Sequence, residues 1–205
     1  YVGKNEGPAP AITPYPDWSW HLAANCNGLT SVFRMDVDEC NRLWVMDSGV
    51  VDAENTVNQA CPPQIMIFNL ETDRLIWRYT LPRDQVPDSS LISNIVVEVL
   101  NNDCTNAFAY LGDVFRYGLI VYSYKANRSY RLTHSYFYPD PLASDYNMNG
   151  IQFQWVDGLF GMALSEPDQR GNRLLYFHPL SSYREFSVPT YILRKTHTLG
   201  SIWIY

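Results

Sequence analysis

The sequence predicts an all-β protein, a β-propeller with about three four-stranded blades in its 205 residues. Three observations lead there. Short runs rich in Val, Ile, Leu, Phe, Tyr and Trp are punctuated by Asp, Asn, Gly and Pro clusters, the pattern of strands and tight turns. No stretch carries a convincing amphipathic helical period. The runs also recur. Leu43, Phe108 and Leu174 hold the same place in successive second strands, 65 and 66 residues apart, and Phe33, Val96 and Gly161 in successive first strands, 63 and 65 apart. A repeat of that length with four strands in it reads as a propeller blade with long connecting loops.

Residues 1–30 are expected to lead into the ring, and 31–205 to form a single-domain partial propeller with blades near 31–90, 91–150 and 151–205. The first unit has strands at Ser31–Val37, Arg42–Asp47, Gln64–Leu70 and Leu75–Leu81, separated by polar turns. The second repeats them at Asn94–Leu100, Ala107–Asp113, Leu119–Tyr124 and Ser129–Ser135. The third begins at Leu159–Ser165, continues at Arg173–Leu180 and offers Glu185–Leu193. A propeller needs roughly four to eight blades to close, so three imply an incomplete ring with uncovered edges, unstable alone. The apolar stretch Leu199–Tyr205 fits a strand awaiting partners or a non-native tail.

With 46% hydrophobic and 18% charged residues the chain is not disordered. Its 15 basic against 21 acidic residues leave a net charge of −6, and the basic ones are scattered. Nucleic acid is therefore a poor partner, and no apolar run is long enough to cross a membrane. The chain begins at Tyr1 without a leader, as a processed secreted protein or a fragment would.

Four cysteines without a CxxC pair or zinc-finger histidines point to two disulfides. Cys40 and Cys104 lie in matching first turns of neighbouring units, on one rim; Cys26 and Cys61 lead into the first and third strands of unit one, at the opposite rim. The expected pairs are Cys26–Cys61 and Cys40–Cys104, with two other connectivities formally open. Asn127-Arg128-Ser129 is a glycosylation sequon between two strands. Even cysteines, the sequon and 15 tyrosines favour a secreted, extracellular protein.

Several longer motifs then converge: PYPDW (Pro14–Trp18), VDECNRLWVMDSG (Val37–Gly49), HSYFYPDP (His134–Pro141), FGMALS (Phe160–Ser165) and LYFHPLSS (Leu175–Ser182). Together they resemble the yellow and major royal jelly protein family of insects, from about Ala9 to Arg194. The resemblance implies a secreted, often glycosylated six-bladed propeller, of which this chain supplies the first three blades. Beyond Arg194 the residues Lys195–His197 and Leu199–Tyr205 depart from that pattern. Family members serve cuticle pigmentation, dopachrome conversion in melanin synthesis, biogenic-amine binding or nutrition, and the fold does not choose among them.

The residues themselves restrict the chemistry. Four dispersed histidines, His21, His134, His178 and His197, cannot build clustered copper sites. GxSxG, GK[ST], GxGxxG and HExxH motifs are missing, so nucleophilic hydrolysis, nucleotide chemistry and zinc proteolysis lack their parts. No cofactor is expected. Asp47, Asp113 and His178 recur at strand ends with spacings of 66 and 65, where carboxylates and an imidazole could hold a divalent cation. An Asx turn at Asp47-Ser48-Gly49 is the simpler account.

Aromatic side chains in proline-rich loops are the ligand candidates: Tyr15 and Trp18, with Trp20, and Tyr136–Tyr138, beside Asp17 and Asp140. Stiff rings next to an acid suit an organic cation or catechol, although such rings can equally stiffen loops and cover edges. FGMALS and IQFQW (Ile151–Trp155) read as architecture, with Gly161 allowing close backbone approach. The function expected is recognition of a small catechol or indole amine in the channel, by an aromatic wall and an acid, within cuticle pigmentation. A dopachrome-converting tautomerase is the enzymatic alternative, for which no general base stands out. A structural or nutritional secretion without ligand is the third.

Overall fold

The computed structural model describes residues 12–21 and 26–195. The expected features at Leu199–Tyr205 and His197, and half of the leading segment (residues 1–11 and 22–25), lie outside them. The described chain is built from antiparallel strands with very little helix. These are β1 (Val32–Val37), β2 (Arg42–Asp47), β3 (Val50–Val51), β4 (Asn58–Gln59), β5 (Gln64–Asn69), β6 (Arg74–Thr80), β7 (Ile92–Val99), β8 (Ala107–Asp113), β9 (Gly118–Ser123) and β10 (Arg128–Thr133). They continue as β11 (Asp145–Met148), β12 (Ile151–Gln154), β13 (Leu159–Leu164), β14 (Leu174–Pro179) and β15 (Phe186–Pro189), followed by α1 (Thr190–Leu193).

Two four-stranded sheets, β1-β2-β5-β6 and β7-β8-β9-β10, are followed by the three-stranded β13-β14-β15, while β3-β4 and β11-β12 are separate hairpins. The first strands lie side by side. Asp36 accepts a 2.8 Å hydrogen bond from the Val97 amide, and Asn94 donates at 2.6 Å to the Phe160 carbonyl. The repeat extends to detail. Each first strand carries a register shift at its start, at Phe33, Ser93 and Phe160. Beside each shift the residue after the second strand donates to the residue before the first: Ser48 to Ser31, Val114 to Leu91 and Leu180 to Gly158, at 2.9, 3.0 and 2.9 Å.

Period-two alternation sorts side chains between the sheets. Trp44 and Met46 of β2 join Ile95, Ala109, Leu111, Ile120 and Tyr122 in one core, and Leu43 and Val45 face outward onto Met66, Phe68, Tyr15 and Trp20. Tyr110, Leu119 and Val121 of the second sheet meet Leu159, Leu175, Phe177 and Val188 of the third. Disulfides join Cys26 to Cys61 and Cys40 to Cys104, with Cα–Cα distances of 5.4 and 5.9 Å.

One expectation is corrected. Glu185–Leu193 is not one strand: β15 stops at Pro189, and the next four residues turn into α1. Pro189 supplies no amide hydrogen to extend the ladder, and its φ of −62° suits the entry to a helix. IQFQW, read as architecture, falls on β12 in an exposed hairpin whose Tyr146 and Phe153 stack at 5.3 Å.

Candidate functional site

Three loops meet where the first strands are bulged. One carries β3 and β4 and is narrowed at its neck, where Gly49 accepts from the amides of Ala60 and Cys61 at 2.9 and 3.1 Å. Gly49 has φ +64°, and a Cβ there would come within 2.0 Å of the Cys61 carbonyl oxygen, so the neck requires glycine. The loop's tip is tied by Asp52, whose carboxylate accepts from Asn55 at 2.6 Å and Thr56 at 3.0 Å. The second loop is the β8–β9 turn, and the third links β12 to β13.

These loops enclose a cleft of about 590 Å³ walled by Phe33, Phe115, Trp155 and Phe160, with Glu54 and Asp157 among its lining. A lobe of about 370 Å³ shares Glu54, Phe115, Trp155 and Asp157 and adds Tyr117. Asp157 is 8% exposed. Burial pushes its carboxyl above the ordinary carboxylate range, opposed by a hydrogen bond from the Trp155 side chain. Burial also raises the neighbouring Tyr117 phenol, and the Asp157 charge adds to that. Arg34 stacks over Phe160, its guanidinium carbon 5.5 Å from the ring centroid.

Ser181 positions the acid. It is fully buried; its hydroxyl donates to the Trp155 carbonyl at 2.6 Å and accepts from the Asp157 amide at 3.3 Å. Its own amide donates to the Asp157 carbonyl at 3.1 Å. The arrangement can clasp a flat aromatic ring and place one carboxylate against a cation or an acidic proton.

The residues expected to form a ligand wall are dispersed. Tyr15 packs on Phe68 at 5.6 Å on the outer face of the first sheet, and Trp18 is 72% exposed beside His21. Tyr138 leans on Tyr117 at 4.8 Å, which sets it near the smaller lobe, whereas Asp140 caps a short 3-10 turn by accepting from the Leu142 amide at 3.0 Å. Trp155 escaped the sequence reading because IQFQW looked architectural, and Asp157 because it lies two residues beyond that motif. The available signal was an acid placed immediately before the glycine that opens the third unit.

Asp47, Asp113 and His178 are not brought together, and among the described residues no group of three or more His, Cys, Asp or Glu could hold a metal. Asp47 accepts from the amides of Thr30, Ser31 and Gly49 at 2.9, 2.7 and 3.1 Å, including the Asx turn. Asp113 accepts from Leu91 at 3.1 Å and pairs with Arg131 at 2.9 Å. His178 lies 3.0 Å from Glu185. Register explains the separation: Val32 pairs with Asp47 and Ile92 with Asp113, but Leu159 pairs with Pro179. His178 is one residue out of step, and one residue turns a strand side chain to the opposite face.

A repeated antiparallel framework that carries an aromatic, acid-bearing cleft in its loops defines the class: a rigid β scaffold with a small-molecule-sized recess. The chain belongs to the major royal jelly protein family, whose profile matches residues 30–204. The match includes the tail whose motifs had seemed to leave the family pattern at Arg194. The chain is 50% identical to dopaminechrome tautomerase of Drosophila melanogaster over 198 residues, 95% of this chain and 42% of that protein. It is 48% identical to Protein yellow of the same species over 197 residues, 94% of this chain and 36% of that protein. It therefore spans well under half the length of these relatives.

Proposed function

We propose that the three sheets are successive blades of a six-bladed β-propeller in a secreted pigmentation protein, glycosylated at Asn127, and that the cleft recognises a small catechol- or indole-derived amine. The observation that carries this reading is the buried Asp157 carboxylate among the rings of Phe33, Phe115, Trp155 and Phe160. The rings take the flat aromatic body and Asp157 the ammonium. The repeated strand order, bulge and closing hydrogen bond support the blade reading. Two disulfides, with no described helix long and apolar enough to cross a membrane, accord with an extracellular setting.

Calorimetric titration of the full-length secreted protein with dopamine and serotonin tests it. One-site saturable heat is expected, weakened about tenfold or more by Asp157→Asn, since a charge-assisted hydrogen bond is worth about 1.5–3 kcal/mol. Binding should fall with acid as Asp157 protonates, at a pH above that of an ordinary carboxylate. Absence of saturable heat removes the reading.

The raised Asp157 pKa and the relative named dopaminechrome tautomerase favour a second reading, isomerisation in the same cleft. Asp157 would take a proton from ring carbon while the quinone oxygen gains one, with no net oxidation. Catalysed decay of the dopaminechrome chromophore, lost in Asp157→Asn, is the expected result.

A further inference from the structure

We propose that the carbohydrate on Asn127 is a structural cover: its first sugar lies on the Trp77 indole of the neighbouring sheet and seals the seam between the first two sheets. This rests on the reading of the protein as a secreted glycoprotein. Asn127-Arg128-Ser129 is the one Asn-x-Ser/Thr in the sequence. Asn127 is exposed in the β9–β10 turn with φ +48°, a conformation that asparagine tolerates. The turn's geometry accounts for an asparagine, but not for what its side chain touches.

Its Oδ1 accepts from the Tyr122 hydroxyl at 3.1 Å, and the Trp77 indole N–H, which donates to that same hydroxyl at 3.0 Å, also reaches Oδ1 at 3.4 Å. Both bonds use the oxygen, so attaching a sugar to Nδ2 leaves them in place, and they fix the direction in which the sugar leaves. Trp77 stands on β6, the edge strand of the first sheet, and is 38% exposed. A partly exposed indole whose nitrogen reaches the glycosylated amide is a platform for the apolar face of a pyranose ring. A sugar there also blocks the free edges of β6 and β10 from pairing with another chain.

The third sequon residue enters the same seam. Ser129 donates from its hydroxyl to Gln85 at 2.6 Å and lies 3.0 Å from the Tyr79 hydroxyl. Glycosyl transfer forms a bond from Asn127 Nδ2 to sugar C1. The bond from C1 to the lipid diphosphate breaks, the diphosphate leaving with the electron pair, and the amide nitrogen loses a proton. The reaction requires the Ser129 hydroxyl at the acceptor, and the closed seam withholds it. Carbohydrate must therefore be added before the two sheets pack, and it is then in place as Trp77 docks.

The chain secreted from insect cells is tested in its intact form, after trimming to a single N-acetylglucosamine, and after full enzymatic release, which converts Asn127 to the acid. Trp77 oxidation by hydroxyl radical is read by peptide mass spectrometry. Intact and trimmed protein should react at equal rates, and the released form several-fold faster; unglycosylated Asn127→Gln protein, if it folds, should match the released form. Folded unglycosylated protein should also be refused as an acceptor and modified only when unfolded. Unmodified Asn127 would overturn both the glycoprotein reading and this proposal. Modified Asn127 with Trp77 oxidised equally in all forms would overturn the cover alone.

Discussion

The two seams of the molecule are closed by different means. Between the first and second sheets Cys40–Cys104 ties matching turns, and Arg42 donates to the Cys104 carbonyl at 2.8 Å while Asp38 holds its guanidinium. Between the second and third, Glu98 is 1% exposed and accepts from Tyr110 at 2.7 Å, Arg194 at 2.7 Å and Thr190 at 2.9 Å. Burial and the Glu98 charge together raise the Tyr110 phenol far above its ordinary value, so it stays a donor. The first seam adds to its buried Asp38–Arg42 pair a bond that constrains the unfolded chain; the second has no such bond and depends on a buried charge whose partners must all be present. The first should resist local opening and the second should release as a unit.

The sharpest way to break the contrast is Glu98→Ala. It leaves the Arg194 guanidinium without its buried carboxylate, and losing one partner of a buried pair costs about 3–5 kcal/mol. Urea denaturation should show that loss, and hydrogen exchange should rise first in β13–β15. Replacing Cys40 and Cys104 together by alanine should cost somewhat less, about 2–4 kcal/mol, for a disulfide spanning 64 residues. Exchange in β13–β15 should then change only with global stability. Equal loosening of both seams in either variant would dissolve the distinction.

Ser181→Ala is a smaller probe, on the cleft side of the third sheet. It removes the hydroxyl shared by the Trp155 carbonyl and the Asp157 amide, and a buried hydrogen bond is worth about 0.5–1.5 kcal/mol net. The expected result is a modest loss of stability with a larger loss of amine binding, because Asp157 shifts.

The same contrast explains what was legible in the sequence. The strands of the first two sheets could be read from apolar runs between turn residues, because their partners are local hairpins. The disulfide pairing followed from matching turns in a repeat. The Glu98 clamp could not be read: Thr190 and Arg194 are 92 and 96 residues away, and an isolated Glu in a strand carries no signal of its partners. Counting residues placed His178 with Asp47 and Asp113, but pairing at the bulge is what decides the facing residue. The cleft was hidden for a related reason, since its wall comes from bulged positions Phe33 and Phe160 and from loops that no period governs.

The smallest expected effect concerns His134, on the second seam only. Its Nδ1 accepts from the Tyr136 amide at 3.2 Å and so must be unprotonated. The ring lies against Tyr136 and Phe137; Tyr136 stacks on Phe186 of the third sheet at 4.3 Å and Phe137 meets Phe177 edge-on at 5.3 Å. Burial lowers its pKa below 6.5. A depressed folded pKa means that the folded state disfavours the proton. The contribution is therefore intact above pH 6.5 and is lost as pH falls through the lower folded value. Acidification in that window should raise amide exchange at Tyr136 and Phe137 while leaving the Tyr79–Tyr122 contact of the first seam unchanged. His134→Ala should abolish the pH dependence of that exchange. A pH response of equal size at both seams would show that His134 is not its source.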